Sequence, residues 1–397
     1  MKTKKKFLIY WDYRRSDLLV PFNKLSDEFE WNFIFFRSKE DDNTQLPYRR
    51  FYWADFKTPY ELLTDVGPDG IIYSDLSSLY AVSMNIAAKN KNIPTYLLDH
   101  GIKLDYFFYL DIEKNLKLLN KKVQKTKLNV RPFKVDKFHT VRFYFASLKF
   151  KNLAQSIKIF KLFFASLSSN NATAFPKIKF PLRCPNKYLL FSKQNFVYYK
   201  QRDGIDESEI IYFGNPHQDD YVLQLSKAVK DTSDPYYLLL DDGQIEGFGI
   251  TPTQKNNFIC KLNEFALSQK SRLVVKLHPF DYDRTDLYQH DNILYKTTAD
   301  ISKLITAATG CFAISTTLML PLIIAGKLVA FKVPNLKIQE VIESYGVKFL
   351  DYLNFSLSEI DFTTTIIPGP QSANFIEHFL YKDDGKANER LRTILRL

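Results

Sequence analysis

Residues 273–281 read Leu273-Val274-Val275-Lys276-Leu277-His278-Pro279-Phe280-Asp281. A short apolar run rich in β-branched residues fits a strand covered on both faces, as in a parallel sheet. It ends in a histidine followed by proline, which breaks the strand and holds the imidazole at its carboxyl end. That is the end of the sheet at which doubly wound folds bind ligands.

Outward from this strand the same pattern repeats. Tyr236–Leu240, Arg272–Leu277, Cys311–Ser315 and Leu328–Phe331 read as buried strands, with helical stretches at Thr253–Ser268, Ile301–Ala308 and Thr317–Ala325 between them. Nearer the amino terminus, Phe7–Tyr10, Trp31–Phe36, Gly70–Tyr73 and Pro94–Leu98 form a first series, with helical periodicity over Leu76–Lys91. Lys187–Ser192 and Ile210–Phe213 resume it after an interruption. Alternation of this kind predicts an α/β chain of two Rossmann-like domains, 1–225 and 226–397, facing a ligand cleft at the carboxyl ends of their strands. The polar stretch from Asp219 to Asp234 reads as the connector.

The interruption carries the charge. From Lys114 to Lys161 there are fourteen lysines and arginines against Asp136 alone, a local excess of thirteen that exceeds the whole-chain excess of eleven. Its second half interleaves lysines with Phe143, Phe145, Leu148, Phe150, Leu153, Ile157, Phe160, Phe163, Phe164 and Leu167, many of them three or four apart. The pattern predicts a basic amphipathic helical insertion over about 111–170 in the first domain. It fits an anionic membrane surface, or a solvated helix that packs its aromatics on the protein's own core. Nucleic acid is the weaker fit, because no recognisable nucleic-acid motif accompanies the charge.

Composition narrows the classes further. The 397 residues are 45% hydrophobic and 25% charged, which matches ordinary globular usage and excludes disordered and fibrous classes. Cys184, Cys260 and Cys311 are too few and too far apart for a disulfide framework or a zinc module. The basic start, Met1 to Lys6, precedes an apolar run too short for a signal-peptide core, and no uncharged apolar stretch of about 18 residues occurs. The expectation is a cytoplasmic protein.

Four stretches could carry chemistry. An imidazole at His278 can hydrogen-bond a phosphate oxygen when neutral and stabilise a phosphate leaving group when charged, with Lys276 and Pro279 beside it. Ser315-Thr316-Thr317 precedes an apolar helical run and is expected to cap it and offer an anion site; plain capping uses the same residues. Leu98-Asp99-His100-Gly101 ends a buried strand of the first domain with a carboxylate and an imidazole, either of which could act as general base. Asp241-Asp242-Gly243-Gln244 follows a strand of the second domain, where a loop containing glycine could approach a phosphate or a sugar. The paired aspartates lack a third carboxylate at a recognisable spacing, so no metal or other cofactor is expected.

Together these stretches resemble bacterial glycosyltransferases of the GT-B fold that build surface polysaccharides: the sialyltransferase and polysialyltransferase group, the Kdo transferases and the CDP-glycerol glycerophosphotransferases. The resemblance spans roughly residues 70–330 in short pieces. It implies that His278-Pro279 and the hydroxyls of Ser315 to Thr317 contact the donor's phosphate, and that the base lies in the Asp99-His100-Gly101 loop. Phe213-Gly214-Asn215-Pro216 with Asp219 resembles the passage into the second domain of these enzymes and of UDP-sugar 2-epimerases. There are departures. Pro321 and its apolar neighbours stand where many such enzymes carry a ribose-gripping glutamate, and His100 stands where sialyltransferases have an acid.

The resemblance implies an inverting, metal-independent transferase for capsule or lipopolysaccharide synthesis, which moves a sialic-acid-like sugar or Kdo from a CMP-sugar to a glycan or glycolipid acceptor. The basic segment would hold it on the inner membrane surface. The alternatives are a CDP-polyol phosphotransferase or UDP-sugar transferase on the same fold, an epimerase-like isomerase, and a non-catalytic membrane or nucleic-acid binding protein.

Overall fold

The structure, a computed structural model, describes residues 3–11, 19–35, 46–103, 105–107, 110, 137–148, 153–168, 174–225, 234–243, 249–278, 281–297, 300–334, 336–365, 367 and 369–397. Much of the basic run, 111–136, and two expected site residues, Gln244 and Pro279, lie outside the described residues. The chain divides into two compact units, one running to His217 and including Lys386–Leu397, the other spanning Gln218–Gly385.

In the first unit the described strands form one parallel sheet: β1 Lys5–Tyr10, β2 Phe29–Phe35, β3 Arg49–Tyr52, β4 Gly70–Tyr73, β5 Thr95–Leu98, β6 Lys187–Leu190 and β7 Ile210–Tyr212. Their order is β3-β2-β1-β4-β5-β6-β7. Strand side chains alternate between faces, so Leu8, Tyr10, Ile71, Tyr73, Leu97 and Leu190 feed one apolar core, while Phe7, Ile9, Ile72, Leu98 and Leu189 feed another. Both faces are therefore covered, which is why these strands read as unbroken apolar runs.

The second unit repeats the plan with β8 Tyr236–Leu240, β9 Arg272–Lys276, β10 Ile293–Lys296, β11 Gly310–Ala313, β12 Leu328–Lys332 and β13 Phe349–Asp351, in the order β10-β9-β8-β11-β12-β13. In each sheet the strand order reverses direction beside the first strand, between β1 and β4 and between β8 and β11. The helices carry the expected end signals. Thr58 and Ser78 cap Pro59–Val66 and Leu79–Asn90, and Thr251 with Gln254 forms a capping box for Pro252–Ser268.

Two features differ from the reading of the sequence. β3, β10 and β13 were not anticipated; each is an edge strand, half solvated, and so carries only a weak apolar signal. The expected second domain, 226–397, also loses its end. The helix Ala387–Arg396 packs Ala387, Leu391 and Leu395 into the first unit's core beside Phe22 and Trp31. Arg392 and Arg396 pair with Glu28, while Asn388 and Arg390 donate to the carbonyls of Pro216 and Phe213. An amphipathic helix requires an apolar partner, but its own sequence does not say which one.

The basic insertion is helical where it is described, at Lys137–Ala146 and Leu153–Ser168. Its apolar side chains divide into two sets. Phe143 is buried in a core of the sheet, and Ile159, Leu162 and Phe163 are buried with Phe145 and Leu148 packed against them, whereas Ile157, Phe160, Phe164 and Leu167 are exposed.

Candidate functional site

In the second unit the ends of three neighbouring strands, β9, β8 and β11, bring expected site residues together. β8 runs into Asp241-Asp242-Gly243, β9 into Leu277-His278, and β11 into Ile314-Ser315-Thr316. Ser315 Oγ donates to Asp242 Oδ2, a bond that bridges the point at which the strand order reverses. Gly243 lies so close to His278 that a Cβ at 243 would stand 2.6 Å from the imidazole Nδ1. Only glycine permits that approach, and it seats the half-buried imidazole against the β8 loop.

Beneath this rim, Lys255 from the helix Pro252–Ser268 bonds Asp241 at 2.8 Å and Asp281 at 2.6 Å, with all three side chains buried. Burial alone would lower the lysine's pKa, but the two carboxylates outweigh it and hold Lys255 above its ordinary value. The backbone N–H of His278 donates to Asp241 Oδ2 at 3.4 Å, and that of Asp281 donates to the His278 carbonyl at 2.9 Å. Asp241 therefore braces the loops and is already neutralised by Lys255. The pair Asp241-Asp242 does not act as one unit: the first residue is buried and the second meets Ser315 at the rim.

One expectation for this unit is corrected. Ser315, Thr316 and Thr317 do not cap the following helix. That helix is only Met319–Ile324, its N-cap position is Leu318, and no side chain caps it. Thr316 Oγ1 instead accepts from the Leu318 N–H at 3.3 Å, and the Thr317 carbonyl accepts from Gln218 at 2.7 Å. Pro321 and the apolar residues beside it leave the turn before the helix to be stitched from the backbone. Lys276, expected among the residues that bind the donor's phosphate, donates its ammonium to the Leu277 carbonyl at 2.8 Å and to the Tyr282 hydroxyl at 3.4 Å.

In the first unit, Asp99 and His100 part company. Asp99 is only 1% exposed, and its carboxylate accepts from Asn195 Nδ2, from the Tyr199 hydroxyl at 3.2 Å and from the His100 N–H at 2.9 Å. Burial pushes its pKa above the ordinary value, with Lys103 and these donors pulling the other way. Asn195 also bonds the Gly101 carbonyl and the Lys103 N–H, so the loop is clamped to the helix Lys193–Asp203. Gly101 takes φ 104°, a region open to glycine. Asp99 thus holds the loop and is shut away from solvent. His100, half-buried against the edge of Trp11 with ring centres 5.5 Å apart, is the titratable group the loop presents.

The reading of the sequence missed a second acid. Asp75 follows β4, beside the reversal point between β1 and β4, and its side chain is 40% exposed. Arg202 Nη1 bonds it at 2.7 Å. Behind it, Arg202 and Arg183 both bind buried Asp203, at 2.8 and 2.9 Å, and the Tyr188 hydroxyl donates to the same carboxylate. Burial alone would raise Asp203, but the two guanidinium groups outweigh it and hold its pKa below the ordinary value. An acid just beyond a buried strand is the signal that singled out Asp99, and Ser74-Asp75 after Gly70–Tyr73 carried it too.

No family model and no curated protein matches the sequence. Solved structures do match over the length of the chain. A variant of the wall teichoic acid polymerase TagF matches with a TM-score of 0.53 and 9% identity, over 99% of this chain and 88% of that one. The calicheamicin glycosyltransferase CalG4 matches with a TM-score of 0.50 and 11% identity, over 100% of this chain and 98% of that one. This chain has the GT-B fold. At so low an identity the likeness speaks for architecture, and the chemistry rests on the residues themselves.

Proposed function

We propose that this chain is an inverting, metal-independent glycosyltransferase that takes a sialic-acid-like sugar or Kdo from a CMP-sugar and passes it to a glycan acceptor of a bacterial surface polysaccharide. The observation that carries the reading is the seating of His278 on Gly243, next to the Asp242–Ser315 bridge at the reversal point of the second unit's sheet. Doubly wound sheets bind nucleotides at such a point. An imidazolium there stabilises a departing phosphate, and the hydroxyls of Thr316 and Thr317 are the donors nearest in sequence that are not spent on a carboxylate. Ser315 already donates to Asp242, so that pair is better suited to grip hydroxyl groups of the donor than its phosphate.

The acceptor hydroxyl must lose a proton as its oxygen attacks the anomeric carbon and the bond to the CMP phosphate breaks, the electron pair leaving on the phosphate oxygen. Between the two residues of the Asp99-His100 loop, we assign the base to His100, because Asp99 is buried and its carboxylate already accepts three hydrogen bonds. A second reading, transfer of a polyol phosphate from a CDP-polyol, draws support from the likeness to TagF, one of whose variant structures was soaked with CDPG.

The test is thermal stabilisation by CMP, CDP, UMP, UDP and GDP, with and without Mg²⁺, for the wild type and His278→Ala. A ligand at about 100 times its Kd adds about 2.7 kcal/mol, enough to move the Tm. A CMP-selective shift lost in His278→Ala supports the first reading. A CDP preference supports the second. No shift with any nucleotide overturns both.

A further inference from the structure

The helix Leu153–Ser168 turns Ile159, Leu162 and Phe163 into the first unit's packing and leaves Ile157, Phe160, Phe164 and Leu167 outside. These four are 46, 37, 61 and 67% exposed. At 3.6 residues per turn they fall within an arc of about 80°, so they form one continuous apolar stripe rather than scattered exposures. Lys158 and Lys161 are exposed on the flank of the same helix, and the Lys158 ammonium reaches the carbonyl of Lys179, which brings exposed Lys177 and Lys179 close by. The sequence contains no Asp or Glu between Asp136 and Asp203. Nothing acidic along that stretch offsets these lysines.

We infer that this stripe is a docking face for a bilayer surface rich in anionic lipid, with the helix lying in the plane of the interface. Large apolar side chains flanked by lysines match such a surface twice over, the apolar groups with the acyl boundary and the ammonium groups with the headgroups. The charge is what commits the occupant. A second copy of this chain would bring the same basic flank against itself, and a neutral apolar partner would leave the lysines unused. Among the described residues no helix is long and apolar enough to cross a membrane, so the contact is one of lying on the surface. The inference stands apart from the transferase reading, because binding to vesicles needs neither donor nor acceptor.

The test is flotation of the full chain with vesicles of phosphatidylcholine alone and of phosphatidylcholine with about a third phosphatidylglycerol. The variants are Phe164→Ser with Leu167→Ser, and Lys158→Gln with Lys161→Gln; thermal unfolding checks that each still folds, and sedimentation velocity gives the oligomeric state. The wild type should float only with the anionic vesicles, less so at higher salt, and the serine pair should weaken partitioning by at least about tenfold. The glutamine pair should weaken it too. Equal flotation on both vesicle types, no flotation at all, or unchanged binding by a folded serine pair would overturn the inference. So would a wild-type dimer that the serine pair converts to monomer without any change in vesicle binding.

Discussion

Adding one methyl group at Gly243 probes whether the packing of the β8 loop on His278 matters to binding. The new Cβ would stand 2.6 Å from the imidazole Nδ1 and 2.9 Å from both Cβ and Cγ of His278. Ordinary contact begins near 3.4 Å, so the ring must retreat by about 0.8 Å. One of the three contacts is to Cβ, which rotation about χ1 does not move, and the His278 backbone that carries it is tied to Asp241 and Asp281, so a change of rotamer alone does not relieve the clash. Forcing a methyl into such a contact costs about 1–3 kcal/mol, and displacing a reacting group by about 1 Å costs about a hundredfold in rate. Urea unfolding of Gly243→Ala should show the first effect, and turnover with a CMP-sugar the second, beside the nucleotide-induced Tm shift. The expected pattern is a modest stability loss with a large loss of both nucleotide stabilisation and turnover. A variant that loses stability yet keeps the wild-type nucleotide response would refute the placement of the ligand at His278.

Other perturbations separate scaffold from chemistry. Lys255→Met leaves buried Asp241 without its cation, and leaves Asp281 with Arg284 alone at 3.7 Å, and should cost about 3–5 kcal/mol at neutral pH. Burial already pushes the Asp241 carboxyl above its ordinary value and losing Lys255 pushes it further, so the variant should regain stability as pH falls towards 5, which urea unfolding at two pH values would show. Asp203→Asn removes the shared partner of Arg183 and Arg202 and should cost a similar amount by the same assay. In the wild type the folded pKa of Asp203 lies below the unfolded one, so its contribution is complete above about pH 4 and fades as pH falls through the folded value; an acid titration of stability in which the variant and the wild type lose stability in parallel would count against it. Asp99→Asn should lower stability by about 1–3 kcal/mol, because its amide would face the Asn195 donor, whereas His100→Gln should abolish most turnover with little change in Tm. Turnover that survives His100→Gln and fails in a folded Asp75→Asn would move the base to Asp75.

Some of this site was legible residue by residue. His278, Ser315 and Gly243 stood out because each follows an apolar run that could only be a buried strand, and a strand's carboxyl end is a defined place in a doubly wound sheet. Asp99 stood out for the same reason, but position along the chain cannot say whether a side chain faces solvent or is folded under the loop; three hydrogen-bond donors, two of them from the helix Lys193–Asp203, decided that. Asp75 carried the same signal and was missed, because the buried network that holds it, Arg202 with Asp203 and Arg183, is assembled from residues more than a hundred positions away. The aromatics of the basic segment looked alike in sequence, and only packing separated the buried Phe163 from the exposed Phe164.

By itself the sequence determined the kind of structure: apolar runs alternating with helical periodicity satisfy their backbone and cover both faces of a sheet as parallel α/β units, and a His-Pro closing such a run marks the carboxyl end of its strand. Tertiary structure decided what periodicity does not encode. The order of the strands, the return of Ala387–Arg396 to the first unit, the ion pairs of Lys255, and the choice of His100 over Asp99 as the presented group all depend on which distant segments meet. Those meetings are set by the packing of whole faces and not by any local run of residues.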